Sequence, residues 1–162
     1  MQSSTVPTNL PGRVATFLRS WLPVGVWMGL VFSASADKQS FAHSSMLFEP
    51  LVHWLFPHLS PGAVADLHHV FRKTCHLTEY AILAWLLWRA IHKPYRHESR
   101  PWNWAEAGLA LSIVFTYAAS DEFHQIFVPN RTPLVSDVMI DTCGGAVGLL
   151  LLWLGLKITR RR

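Results

Sequence analysis

Ser120-Asp121-Glu122-Phe123-His124-Gln125-Ile126-Phe127-Val128-Pro129-Asn130-Arg131, followed by Asp137 and Asp141, sets acids, a histidine, a glutamine and an arginine against long apolar runs. If those runs cross a bilayer, each polar group within them costs several kcal/mol unless it is paired or lines a cavity. Polar residues at such depth mark functional positions. The other apolar segments then read as a scaffold that carries further polar residues to this one.

The bulk composition supports that reading. Of 162 residues, 51% are hydrophobic and 15% charged, with eight tryptophans and a formal net charge of +4. The charged fraction lies well below the roughly 25% of a soluble domain. The basic residues gather at segment ends and form no groove-like stripe, which argues against a nucleic-acid partner. A single domain is expected. Cys75 and Cys143 cannot build a disulfide framework and belong to no CxxC pair; both are expected to be unpaired and buried.

Outward from the opening stretch, four apolar segments can be traced. Residues 1–12, rich in Ser, Thr, Pro and Gly, read as a disordered lead-in. The run from Trp21 to Phe32 could be a signal peptide, because Ala34-Ser35-Ala36 resembles a cleavage site. A first membrane span over Val14–Ser35 is preferred, since later spans need an orienting partner. Residues 36–60 carry two short apolar pieces interrupted by Pro50 and closed by Pro57, which fits an interfacial or re-entrant helix. Ser60-Pro61 then supplies an N-cap and a proline at the first helical position. The second span follows, with a polar first half through Asp66, Arg72, Lys73 and His76 and an apolar Ala81–Ile91.

After the connector from His92 to Pro101, Asn103 and Glu106 form a capping box for a third span that runs to about Phe127. Trp102 and Trp104 sit where a membrane interface would be. Pro133 opens the fourth span, which ends near Leu156. The predicted architecture is all-α: an integral membrane four-helix bundle with an interfacial or re-entrant helix between spans one and two. Its domains are the lead-in 1–12, a transmembrane domain 13–157 and a basic cytoplasmic tail 158–162.

In this layout Arg13, Arg19, Arg89, Lys93, Arg96, Arg100, Lys157, Arg160, Arg161 and Arg162 fall on one side, and Lys38, Arg72, Lys73 and Arg131 on the other. The positive-inside rule then puts both termini and the 92–101 connector of a multi-pass membrane protein in the cytoplasm.

Antiparallel spans bring the polar halves to one level. Lys73, His76 and Glu79 begin span two, Asp121, Glu122, His124 and Gln125 end span three, and Asp137 and Asp141 begin span four. Lys73, His76 and Tyr80 share a helical face, as do His76 and Glu79, and as do Asp121, His124 and Gln125. Asp137, Asp141, Gly144 and Gly148 form a stripe whose GxxxG permits close helix approach. Counted from Pro133, Asp141 lies about 12 Å into the span, so it should be paired or protonated, with Lys73 or His76 as partner.

Three kinds of chemistry fit such a cluster. His76, Glu79, Asp121, Glu122, His124 and Asp141 could act as acid and base in a membrane-embedded hydrolase working on a lipid headgroup. Mixed N and O ligands among them could hold a divalent metal that activates water, although the spacing matches no compact metal signature. Arg72, Lys73 and Arg131, with Tyr80, Gln125 and Asp137, would instead bind an anionic headgroup, phosphate or carboxylate. The structural alternative is an ionic network that only assembles the bundle. His43, His53, His58, His68 and His69 read as interfacial residues outside the cluster, and the C-terminal arginines as anchors to anionic lipids. Trp85, Trp88 and Trp153 read as bundle or lipid-facing residues.

Two blocks resemble a known family. Arg72-Lys73-Thr74-Cys75-His76-Leu77-Thr78-Glu79-Tyr80-Ala81 is similar to the first block of VanZ-like proteins. Ser120-Asp121-Glu122-Phe123-His124-Gln125 through Pro129-Asn130-Arg131 is similar to the second, although a glycine is common where Asn130 stands. Asp137 with Asp141-Thr142-Cys143-Gly144-Gly145 and Gly148 fits the segment that follows, and Phe32-Ser33 and Ser40 echo a serine-containing segment more loosely. The resemblance spans roughly 25–155. It implies a small integral membrane protein of the bacterial envelope, in a family linked to glycopeptide (teicoplanin) resistance. Its partners would be membrane lipids or a cell-wall precursor.

Overall fold

The computed structural model describes residues 10–36, 40–92, 101–127 and 134–160. Among them are five helices and no strand: α1 (Leu10–Ala36), α2 (Ser40–Leu55), α3 (Pro61–His92), α4 (Trp104–Gln125) and α5 (Val135–Thr159). The lead-in expected over 1–12 lies outside the described residues up to position 9, and helix begins at Leu10. The turn at 128–132, with Arg131, and most of the basic connector also lie outside them.

Local chemistry accounts for the helix starts. Ser60 Oγ accepts from the Ala63 N–H at 3.3 Å, and Pro61 opens α3. Asn103 Oδ1 accepts from the Ala105 N–H at 2.9 Å and caps α4. The Glu106 carboxylate, the other expected member of the capping box, meets the ring of His92 through its Oε2. Residues 40–55 hold a continuous helix with Pro50 inside it, in the segment expected to be interfacial or re-entrant.

The bundle is organised around α3, which packs most extensively on α5, while α4 packs on both and α1 closes the group. Small residues permit the close contacts. Ala107, Ala110, Val114 and Ala118 make a buried stripe on α4. On α5, a Cβ at Gly148 would lie 2.8 Å from Ala81 Cα, and one at Gly144 would lie 2.9 Å from Leu77 Cα. Both glycines are therefore required by backbone approach, as the GxxxG spacing predicts. Tyr80, Leu83, Leu87 and Val114 fill the interior. Truncating a buried leucine such as Leu83 or Leu87 to alanine costs about 2–5 kcal/mol.

α1 is tied in by side-chain bonds as well as by buried Val24 and Val31. Trp27 Nε1 donates to the Glu79 carbonyl at 3.0 Å, and Tyr117 Oη donates to the Met28 carbonyl at 2.6 Å. These bonds make α1 a working part of the bundle, which favours the span reading over a signal peptide.

Among the described residues two helices, over Val14–Ser35 and Val135–Thr159, are long and apolar enough to cross a membrane. Only 11% and 28% of their most apolar stretches are buried inside the fold, whereas the core helix of a soluble protein is mostly buried. Phe17, Leu18, Leu22, Val26 and Leu30 on α1, and Met139, Leu150, Leu151 and Leu154 on α5, stand exposed. The expected set of four spans is thus matched in part. Arg72, Lys73 and Glu79 on α3, and Glu106, Asp121 and Glu122 on α4, dilute the apolar runs of those two helices. The cysteines depart from expectation. Cys143 is exposed and Cys75 half-buried, because neither lies on the face its helix turns to the interior.

Candidate functional site

Three helices converge on a cavity of about 120 Å³. From α3 come His69, Arg72, Lys73 and His76, from α4 Glu122 and Gln125, and from α5 Asp137, Ile140 and Asp141. The α3 set is spaced i, i+3, i+4 and i+7, one helical face. Asp137 and Asp141 are one turn apart on α5, and Glu122 and Gln125 one turn apart on α4. The wall from α3 carries nitrogen groups and the opposite walls carry carboxylates.

The polar partners are specific. Lys73 Nζ pairs with Asp137 Oδ1 at 3.7 Å, and both side chains are 39% exposed. His76 Nδ1 lies 3.4 Å from Glu79 Oε2 on its own helix. Asp141, expected to pair with Lys73 or His76, is buried beside His76 and interacts with it electrostatically, while the ion pair of Lys73 goes one turn outward to Asp137. Glu122 joins two helices: its Oε2 accepts from the Leu134 N–H at 2.9 Å and its Oε1 accepts from Gln125 Nε2 at 2.9 Å. Leu134 is the N-cap of α5, so Glu122 holds the start of the helix that carries Asp137 and Asp141.

Behind the cavity lies a second polar layer. Ser35 Oγ donates to Asp121 Oδ2 at 2.7 Å, and Gln125 Nε2 also reaches Ser35 Oγ at 3.3 Å. Asp121 and Ser35 are 3% and 2% exposed, so the hydroxyl is what compensates a buried carboxyl group. The Asp121 Oδ1 and Tyr80 Oη atoms are buried with no hydrogen-bond partner among the described residues. His124 packs its ring on Phe32, with centroids 4.7 Å apart.

Of the residues expected in the site, Arg72, Lys73, His76, Glu122, Gln125, Asp137 and Asp141 line the cavity. Glu79 touches it through His76. Asp121, Tyr80 and His124 stand behind or beside it rather than in its wall. Arg131 lies outside the described residues. Two participants were missed. His69 reads from the sequence as an interfacial histidine, although its spacing of seven from His76 puts it on the same face. Ser35 read as part of a cleavage-like tripeptide, and only its place as the last polar residue of an apolar run hinted at burial. His68, which the sequence places at the interface, is buried and packs on Phe48 with centroids 5.1 Å apart. Among the described residues no group of three His, Cys, Asp or Glu side chains converges to hold a metal ion.

A small helical bundle with lipid-sized apolar faces and an ionic cavity at one end defines the class of this chain. A family model described as VanZ/LLP1 matches residues 20–156, and the chain belongs to that VanZ-like family. No curated protein and no solved structure matches it. Family membership and the two largely unburied apolar helices together point to a membrane protein.

Proposed function

We propose that this chain is a multi-pass envelope protein that binds an anionic lipid headgroup or a cell-wall-related ligand in the cavity between α3, α4 and α5. In this reading α1, α3, α4 and α5 cross the bacterial inner membrane, both termini are cytoplasmic, and the cavity opens at the outer level. Supporting the orientation, ten of the 14 basic residues fall on the cytoplasmic side of this four-span layout. The link of the family to glycopeptide (teicoplanin) resistance agrees with a ligand drawn from the envelope.

The carrying observation is that His69, Arg72, Lys73 and His76 share one wall of a cavity between α3, α4 and α5. Arg72 and Lys73 supply forked and point-charge donors for a phosphate or carboxylate. Asp137 holds the Lys73 ammonium in place, and Glu122 and Asp141 offer acceptors for hydroxyl or amide hydrogens of the same ligand. A ligand with one anionic group flanked by hydrogen-bond donors matches both walls.

The test is lipid binding by the full chain in nanodiscs, with phosphatidylglycerol and a polyprenyl phosphate as probes. Lys73→Gln should weaken binding about tenfold or more, the worth of one hydrogen bond to a charged group. Its melting temperature should hardly move, because a half-exposed ion pair contributes about 0–1 kcal/mol. If neither probe binds, or if Lys73→Gln and His76→Ala bind as the unaltered protein does, the reading is wrong.

A further inference from the structure

At the end of the bundle away from the cavity, a run of aromatic rings crosses three helix termini. Trp88 stacks on His92 at 4.2 Å and on Trp102 at 5.0 Å. Trp102 meets Trp104 edge-on at 5.4 Å, and Trp104 meets Trp153 at 5.6 Å. Lys157 Nζ sits 4.9 Å over the Trp153 ring. Beside this run lies a groove of about 320 Å³ lined by Trp102, Trp153, Leu156, Lys157 and Arg160.

The position and the lining each narrow the occupant. Lys157 is 20 residues beyond Asp137 on α5, a rise of about 30 Å, which is the thickness of a hydrocarbon core. The groove therefore falls at the opposite interface, where indole rings prefer to sit. Of its five described lining residues three are apolar or aromatic, two are cationic and none is a carboxylate. Glu106, also at this end, lines a neighbouring groove and bonds to His92. Among the described lining residues a zwitterionic headgroup would find no carboxylate for its ammonium group, and a soluble phosphate would leave the aromatic wall unused.

We infer that this groove is a second binding site, for an anionic phospholipid: the phosphate lies between Lys157 and Arg160, and the glycerol and upper acyl chains lie on Trp102, Trp153 and Leu156. The Trp153 ring holds the Lys157 ammonium over the groove by a cation–π contact before the lipid arrives. Cations at a helix C-terminus also complement its dipole, so the competing explanation is that Lys157 and Arg160 serve only to finish α5. The assignment rests on the membrane placement proposed above, but no cavity residue contacts the lipid, and it stands apart from the ligand proposed there.

The experiment is native mass spectrometry of the full chain in a neutral detergent, titrated with phosphatidylglycerol or with phosphatidylcholine of the same acyl chains. All titrations use the Lys73→Gln background, which weakens binding in the cavity at the other end, so that the change on altering Lys157 and Arg160 reads the groove. Phosphatidylglycerol should bind more tightly than phosphatidylcholine. Combined Lys157→Gln and Arg160→Gln should weaken it about 25-fold, from about fivefold per lost cation. Both side chains are exposed, so the double variant should fold, which a thermal melt checks. Equal binding of the two lipids overturns the assignment. So does unchanged phosphatidylglycerol binding by the double variant, which leaves only helix termination, or displacement of the lipid by millimolar glycerol 3-phosphate.

Discussion

Replacing Gly144 with alanine places one methyl group where α5 meets the backbone of α3. That carbon would lie 2.9 Å from Leu77 Cα and 3.0 Å from Leu77 C, and closer still to the Leu77 carbonyl oxygen. Ordinary carbon contacts sit at about 3.5–4.0 Å, so the two helices must part by roughly 1 Å. The obstacle is backbone, and no side-chain rotation relieves it. Overpacking of this kind costs about 1–3 kcal/mol. Gly155 on the same helix provides the control, because a Cβ there meets nothing within 4 Å. Both substitutions gain the same helix propensity, about 1 kcal/mol in alanine's favour, so the difference between them isolates the clash. Thermal unfolding in detergent, followed by circular dichroism, should place Gly144→Ala about 2–12 °C below Gly155→Ala, at about 2–4 °C per kcal/mol for a chain of this size. The same parting should spread Lys73 from Asp137, now 3.7 Å apart across these two helices, and weaken ligand binding in the cavity. A Gly144→Ala protein as stable as Gly155→Ala would refute the close approach of α3 and α5.

Ser35→Ala removes the hydrogen-bond donor of Asp121 Oδ2, and a buried acceptor left unpaired costs about 1–3 kcal/mol; a melting temperature equal to that of the unaltered chain would discount the α1–α4 tie. Glu122→Gln keeps one acceptor oxygen where the carboxylate uses two, for the Leu134 N–H and for Gln125. Hydrogen exchange at the first turn of α5 should then speed up, and unchanged protection there would show that Glu122 does not hold that turn. A fluorescent protein fused after Arg162 should fold and fluoresce in a bacterial host, while alkaline phosphatase at the same place should be inactive. The opposite pair of results would invert the proposed orientation.

How much of this was legible in the chain varies from residue to residue. Ser60 and Asn103 cap their helices as the sequence indicates, because capping depends on a side chain and backbone a few residues away. The convergence of Lys73, His76, Glu122, Asp137 and Asp141 was also readable, since antiparallel helices bring matching ends together. Pairing was less readable. Glu106 had a local partner in the capping box and took His92 from another helix, and Lys73 took Asp137 rather than Asp141. Four spans were expected from apolar runs, but two helices pass by composition, because the residues that make the cavity also lower the hydropathy of α3 and α4.

By itself the sequence determined the helices, their caps, the small-residue stripe on α5 and the end of the bundle at which the charges collect. These follow from periodicity and from short-range hydrogen bonding, which the order of residues contains. Only the tertiary structure decided that Ser35 compensates Asp121, that Glu122 holds the start of α5, and that His69 joins the cavity. Periodicity sets the angle of a side chain about its own helix. The rotation and axial offset of one helix against the next are set by packing, here by the contact of Gly144 and Gly148 with the backbone of α3.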